Sequence, residues 1–100
     1  MPSTITSAKL EKYFDTTKRA LKKVKIVKKQ KKTIKWKENA EDFLDMAQRY
    51  FDDAKYFKKK GNIVTAFAAL NYAHGWLDAG ARLGLFDVGG DNHLFTVDPK

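Results

Sequence analysis

Residues 70–86 read LNYAHGWLDAGARLGLF, and the reading of this stretch decides the fold. Leu70, Ala73, Leu77 and Ala81 recur at three- and four-residue steps, as one face of an α-helix does. Upstream, Ile63, Ala66 and Phe67 extend the series, and Leu83 closes it. Val64, Ala68, Ala69, Tyr72, Trp76 and Ala79 occupy other faces, so the segment is apolar over most of its girth. That pattern predicts the most buried helix of a bundle, opened by Asn62 and stopped by Gly84. The small residues Ala66, Ala69, Ala73, Gly80 and Ala81 would let neighbouring helices approach closely.

Two further helices follow from working outward. Asn39, with Asp42 three residues on, reads as the cap of a helix over about residues 40–60. Its buried stripe is Ala40, Phe43, Leu44, Ala47, Tyr50, Phe51, Ala54 and Phe57. Acids crowd its first turns and Lys58, Lys59 and Lys60 its last, matching the helix dipole at both ends. Gly61 stops it, and so short a link forces the two helices antiparallel. Earlier, Ser7 reads as a cap, and Leu10, Tyr13, Phe14, Thr17, Leu21, Val24 and Val27 predict an amphipathic helix running to about residue 30. The expected fold is therefore all-α: one domain over residues 1–100, a three-helix antiparallel up-and-down bundle with helices at about 7–30, 40–60 and 62–84. Residues 87–100, DVGGDNHLFTVDPK, contain Gly89-Gly90 and Pro99, which argue against another helix. A flexible C-terminal tail is expected there, with Leu94, Phe95 and Val97 as the groups that could dock on the bundle or pair with a partner.

Composition narrows the function classes. With 43% hydrophobic residues in 100, the chain can bury one modest core rather than remain disordered. It has no cysteine, which excludes disulfides, thiolate metal sites and a cysteine nucleophile. The longest uncharged run, residues 61–77, is too short and too polar for a membrane span. The opening MPSTITSAKLEKYF has no apolar signal core, so a cytoplasmic location is expected. Charge is uneven: residues 1–37 hold thirteen Lys or Arg against two acids, and residues 38–100 hold seven against ten. The net +8 thus belongs to the first third of the chain, which could steer a polyanion towards the first helix.

The opening stretch also carries Asn71, His74, Asp78 and Arg82. At 100° per residue, Asn71, Asp78 and Arg82 fall nearly in line, with His74 to one side. The preferred reading is structural. Asp78 precedes Arg82 by four residues, the favourable order for a helical ion pair, and His74 precedes Asp78 by four. The catalytic alternative makes His74 a general base oriented by Asp78, with Arg82 holding an anion. No nucleophile stands beside them in the sequence. His74 and Asp78 also supply only two metal ligands, so neither metal nor cofactor is expected. Asp91-Asn92-His93, near Asp87, reads better as turn chemistry than as ligation.

Residues 22–37, KKVKIVKKQKKTIKWK, hold nine lysines. Lys22, Lys25, Lys28, Lys29 and Lys32 are the candidate phosphate contacts, with Trp36 as a stacking platform. The competing reading is the solvated back of an amphipathic helix followed by a lysine-rich turn. The segment lacks an arginine fork, so nonspecific affinity is expected over base reading.

Residues 46–86, MAQRYFDDAKYFKKKGNIVTAFAALNYAHGWLDAGARLGLF, resemble the small archaeal family known as domain of unknown function 357. The marks are Tyr50, Asp53-Ala54, Tyr56-Phe57, Gly61, Ala66 and the run from Tyr72 to Gly84 containing GWLDAGARLG; EKYFDTTKRAL, with Tyr13-Phe14 and Leu21, is similar as well. The likeness covers about residues 10–88. It implies an archaeal origin and a three-helix up-and-down bundle, and it implies no established activity. A looser likeness is to helical domains found with nucleotidyltransferases and in toxin ribonucleases. Those ribonucleases place an arginine before a histidine on one helix; here His74 precedes Arg82, so ribonuclease activity is not carried over.

The functional expectation is an uncharacterised, non-enzymatic interaction or adaptor module with nonspecific nucleic-acid affinity. Its partner surface would be either the lysine face of the first helix or an uncovered part of the third, with self-association or a protein partner at the latter. The alternative is a ribonuclease-like or other hydrolytic enzyme using His74, Asp78 and Arg82.

Overall fold

A computed structural model of the chain describes residues 5–27 and 35–95. It contains three helices: α1 (Ser7–Lys23), α2 (Trp36–Lys59) and α3 (Ile63–Leu83). Two short strands, β1 (Lys25–Ile26) and β2 (Phe86–Asp87), complete it. The all-α three-helix architecture is the one expected from the periodicity. Helices α2 and α3 form the antiparallel hairpin, and α1 lies on it, parallel to α3 and antiparallel to α2. This order follows from the packing: Leu10 and Phe14 of α1 cluster with Phe51 and Ala54 of α2 and Ala66 and Leu70 of α3. Ala20, at the other end of α1, clusters with Ala40, Leu77 and Leu85.

The hairpin is built on alanine. Ala40, Ala47 and Ala54 follow at seven-residue steps on α2, and Ala66, Ala73 and Gly80 do so on α3; all six are buried. Ala54 and Ala66, the members of the two sets nearest the turn at Gly61, share one core cluster. Without bulk at the seam, two helices approach to about 8 Å, the short end of ordinary interaxial distances. A seven-residue repeat keeps that seam in register along a left-handed supercoil. The turn itself is as the glycine predicts. Gly61 adopts φ +82°, and the Asn62 N–H donates to the Phe57 carbonyl at 2.8 Å. At the far end Gly84 has φ +80°, and the Leu85 N–H donates to the Gly80 carbonyl at 2.8 Å. Both are left-handed glycine C-caps.

Three boundaries differ from the expected ones. First, α1 is capped by Thr6 rather than Ser7: Thr6 Oγ1 accepts from the Lys9 N–H at 3.1 Å. Second, α1 ends at Lys23, not near residue 30. Val24 is extended, and β1 pairs antiparallel with β2, Lys25 opposite Asp87 and Ile26 opposite Phe86. The Val27 N–H adds a bond to the Leu85 carbonyl at 3.0 Å. Val24, Ile26 and Val27 are β-branched, and a partner strand satisfies their backbone as well as another helical turn would. Third, α2 begins at Trp36 rather than Ala40. Asn39 lies inside its first turn, where its N–H donates to the Lys35 carbonyl at 2.8 Å. Packing of Trp36 on the core, with no side-chain cap at Lys35, sets this start.

The expected flexible tail is also corrected as far as Phe95. Leu85, Phe86, Val88, Leu94 and Phe95 are all buried, in one cluster with Ala20, Ala40, Ala47 and Leu77. The alanines that let α2 and α3 approach leave that end of the bundle short of bulk, and these side chains supply it. Gly89 and Gly90, both at positive φ, turn the chain back so that Leu94 and Phe95 reach the core. Residues 96–100 lie outside the described residues.

Candidate functional site

The polar residues of α3 are placed along one edge of the helix. Asn71 and Arg82 are exposed, and His74 and Asp78 are half-buried. His74 Nε2 lies 2.5 Å from the Leu94 carbonyl oxygen. An oxygen there can only accept, so the nitrogen carries the proton and donates. The imidazole also stacks on Phe95, with centroids 6.2 Å apart and planes 26° apart. The proposed base is thus tied, through one nitrogen and one ring face, to the segment that closes the core. Among the described residues no three His, Asp or Glu side chains converge as a metal-ligand set.

Asp91 organises the same segment. Its Oδ1 accepts from the His93 and Leu94 N–H groups at 3.0 Å each. The bond from Leu94 chiefly holds its carboxyl below the ordinary value; partial desolvation opposes this, and the His93 N–H and nearby Lys23 assist it. Asp87 Oδ1 accepts from the Gly89 N–H at 2.9 Å in the same manner. These are turn-forming carboxylates, as their spacing suggested.

The basic segment is visible in part. Lys18, Lys22 and Lys25 are exposed; Lys28, Lys29 and Lys32 lie outside the described residues. Trp36 is half-buried and packs on the core, so its expected role as a stacking platform is set aside. Its indole N–H is buried with no hydrogen-bond partner among the described residues. Residues 16–37 contain eleven Lys or Arg and no acid. Lys18 also borders a groove of about 600 Å³ between α1 and α2. Phe14 and Phe51 form its floor, in edge-to-face contact at 5.8 Å. Lys55, Lys58 and Lys59 of α2 line it with Lys18, as do Glu11 and Asp15. Lys58 is paired with Glu11 and lies over the Phe14 ring, and Lys55 pairs with Asp52 and lies over Phe51. None of His74, Asp78 and Arg82 borders this groove.

A family model described as "Protein of unknown function (DUF357)" matches residues 12–86. The chain belongs to this family. No curated protein and no solved structure matches it. The DUF357 match takes in most of α1, all of α2 and α3, and the first residue of β2. The acceptor for His74, Leu94, lies beyond the matched span. The groove was missed by sequence reasoning, because Lys58 and Lys59 already had a sufficient explanation at the C-terminal end of a helix dipole. Bringing them to Lys18 depends on how α1 crosses the hairpin, which no local pattern encodes.

No described helix is long and apolar enough to cross a membrane.

Proposed function

We propose that this DUF357 protein is a non-enzymatic binding module whose basic surface, at the C-terminal end of α1 and along β1, takes polyanions without reading sequence. The observation that carries this reading is the acid-free run of eleven cations over residues 16–37, with Lys18, Lys22 and Lys25 exposed where it is described. Lys28, Lys29 and Lys32 extend the same run by sequence. Clustered ammonium groups attract a phosphate backbone and displace its condensed counterions, and they carry no pattern of donors matched to a base edge. The tie between His74 and Leu94 supports a cohesive role for the α3 polar residues over a hydrolytic one.

The test is fluorescence anisotropy with single- and double-stranded oligonucleotides of unrelated sequence, across a salt series. Binding is expected to be indifferent to sequence and to weaken linearly in log–log form with salt. Replacing Lys22 and Lys25 together with glutamine should reduce the magnitude of the slope by about 0.7–0.9 for each phosphate that the variant no longer neutralises. Trp36→Phe should leave affinity unchanged. No binding at low ionic strength, or binding insensitive to salt, rejects the proposal.

A further inference from the structure

The groove between α1 and α2 shares Lys18 with the basic surface and is otherwise unused by it. Its two walls are built alike. Phe14 is followed one turn along α1 by Lys18, and Phe51 is followed one turn along α2 by Lys55. The rings meet edge to face, and the two helices run antiparallel. Lys18 therefore lies about 6 Å along the axis from Phe14 in one direction, and Lys55 as far from Phe51 in the other. Lys58 and Lys59 extend the Lys55 side by a further turn.

Pairing within the chain leaves part of this charge unmet. Glu11 is held by Lys58 and Asp15 by Arg19, so both acids of the groove are already neutralised. Lys18 and Lys59, one from each wall, form no ion pair among the described residues. The ring faces are themselves approached by cations. The Lys58 ammonium lies 5.1 Å from the Phe14 centroid, and that of Lys55 lies 5.2 Å from the Phe51 centroid. Both lysine side chains are exposed, so part of the cover over each ring can swing aside. At about 600 Å³ the groove has the room of an ordinary small-ligand pocket.

We infer that this groove takes an unpaired base of a single-stranded nucleic acid, laid on the Phe14–Phe51 floor between phosphates held by Lys18 and Lys59. The inference rests on the polyanion reading above and adds to it a preference for single strands. The groove calls for a flat apolar group with an anion at each end. A single strand supplies that as its repeating unit, whereas an apolar anion with one head group would use one end only. From Lys18 the strand continues by one turn to Lys22 and so onto the basic surface. A duplex also offers phosphates, but its bases are stacked on one another and cannot reach the floor. Ammonium groups alone favour the duplex, whose charge density is higher. Aromatic rings in a cationic groove reverse that order by stacking on exposed bases.

Anisotropy titrations at one low salt concentration test this, comparing a single strand, its duplex and the same strand made abasic. The wild type should bind the single strand about tenfold more tightly than either of the others, the effect of one stacked base. Phe51→Leu, and separately Lys55→Gln combined with Lys59→Gln, should bring that ratio towards one; retained duplex binding shows that each variant is folded. In NMR spectra of protein labelled at phenylalanine, the Phe14 and Phe51 ring signals should move on adding the single strand and stay in place on adding the duplex. If no nucleic acid binds, the polyanion reading fails and this inference with it. If the three oligonucleotides bind alike, the polyanion reading stands and the groove inference is overturned. Ring signals that respond to decanoate but not to the strand would give the groove to an apolar anion, and overturn it as well.

Discussion

Gly80 is buried against the ring of Phe86, and a methyl group there has no space that does not already belong to the ring. Gly80→Ala gains up to about 1 kcal/mol of helix propensity but forces a repacking that costs about 1–3 kcal/mol, so a net loss on the order of 1 kcal/mol is expected in urea denaturation. The displaced ring would also disturb Ile26, its partner in the strand pairing. Asp91 acts at the same scale. Its carboxylate accepts two backbone N–H groups and titrates below the ordinary value. A group depressed in the folded state stabilises it fully above the unfolded value and loses that contribution as pH falls through the folded one. Amide exchange at Leu94 and Phe95 should therefore accelerate, relative to the α2–α3 hairpin, as pH drops below the ordinary carboxylate range. Asp91→Asn should remove that differential pH dependence; its persistence would show that another group controls the segment.

At the scale of elements, the sequence was legible where one period had one interpretation. Helix α3, its glycine stop, the tight turn at Gly61 and the antiparallel pairing with α2 all follow from apolar spacing and glycine placement. Boundaries were misread where two local rules competed. Val24 and Val27 fit a helical step as well as they fit an extended segment, and only the presence of Phe86 and Leu85 across the gap chooses the latter. Asn39 has ideal capping chemistry, yet Trp36 three residues earlier has more apolar area to cover, and the helix starts there. The segment after β2 was misjudged because Gly89-Gly90 excludes a helix and says nothing about order. The need for Leu94 and Phe95 arises from alanines on other elements, which cannot be seen from the segment itself. Leu83 was read as part of the buried series of α3, and it is exposed; which apolar residues of α3 are covered depends on where α1 and α2 lie.

At the scale of the whole molecule, the body is elongated, 47 × 26 × 20 Å, with exposed lysines at the C-terminal end of α1 and on β1. The strand pair has a separate consequence, for the order in which the molecule forms. Lys25 and Asp87 meet across 62 positions of chain, whereas α2 and α3 are joined by a turn of a few residues. Closing the longer loop costs roughly 2 kcal/mol more in chain entropy, before any side chain is packed. The hairpin should therefore nucleate, with the strand pair a late event. In stopped-flow kinetics, Ala47→Gly should chiefly slow refolding, and Phe86→Leu should chiefly quicken unfolding. The reverse assignment would mean that the two ends of the chain find each other first.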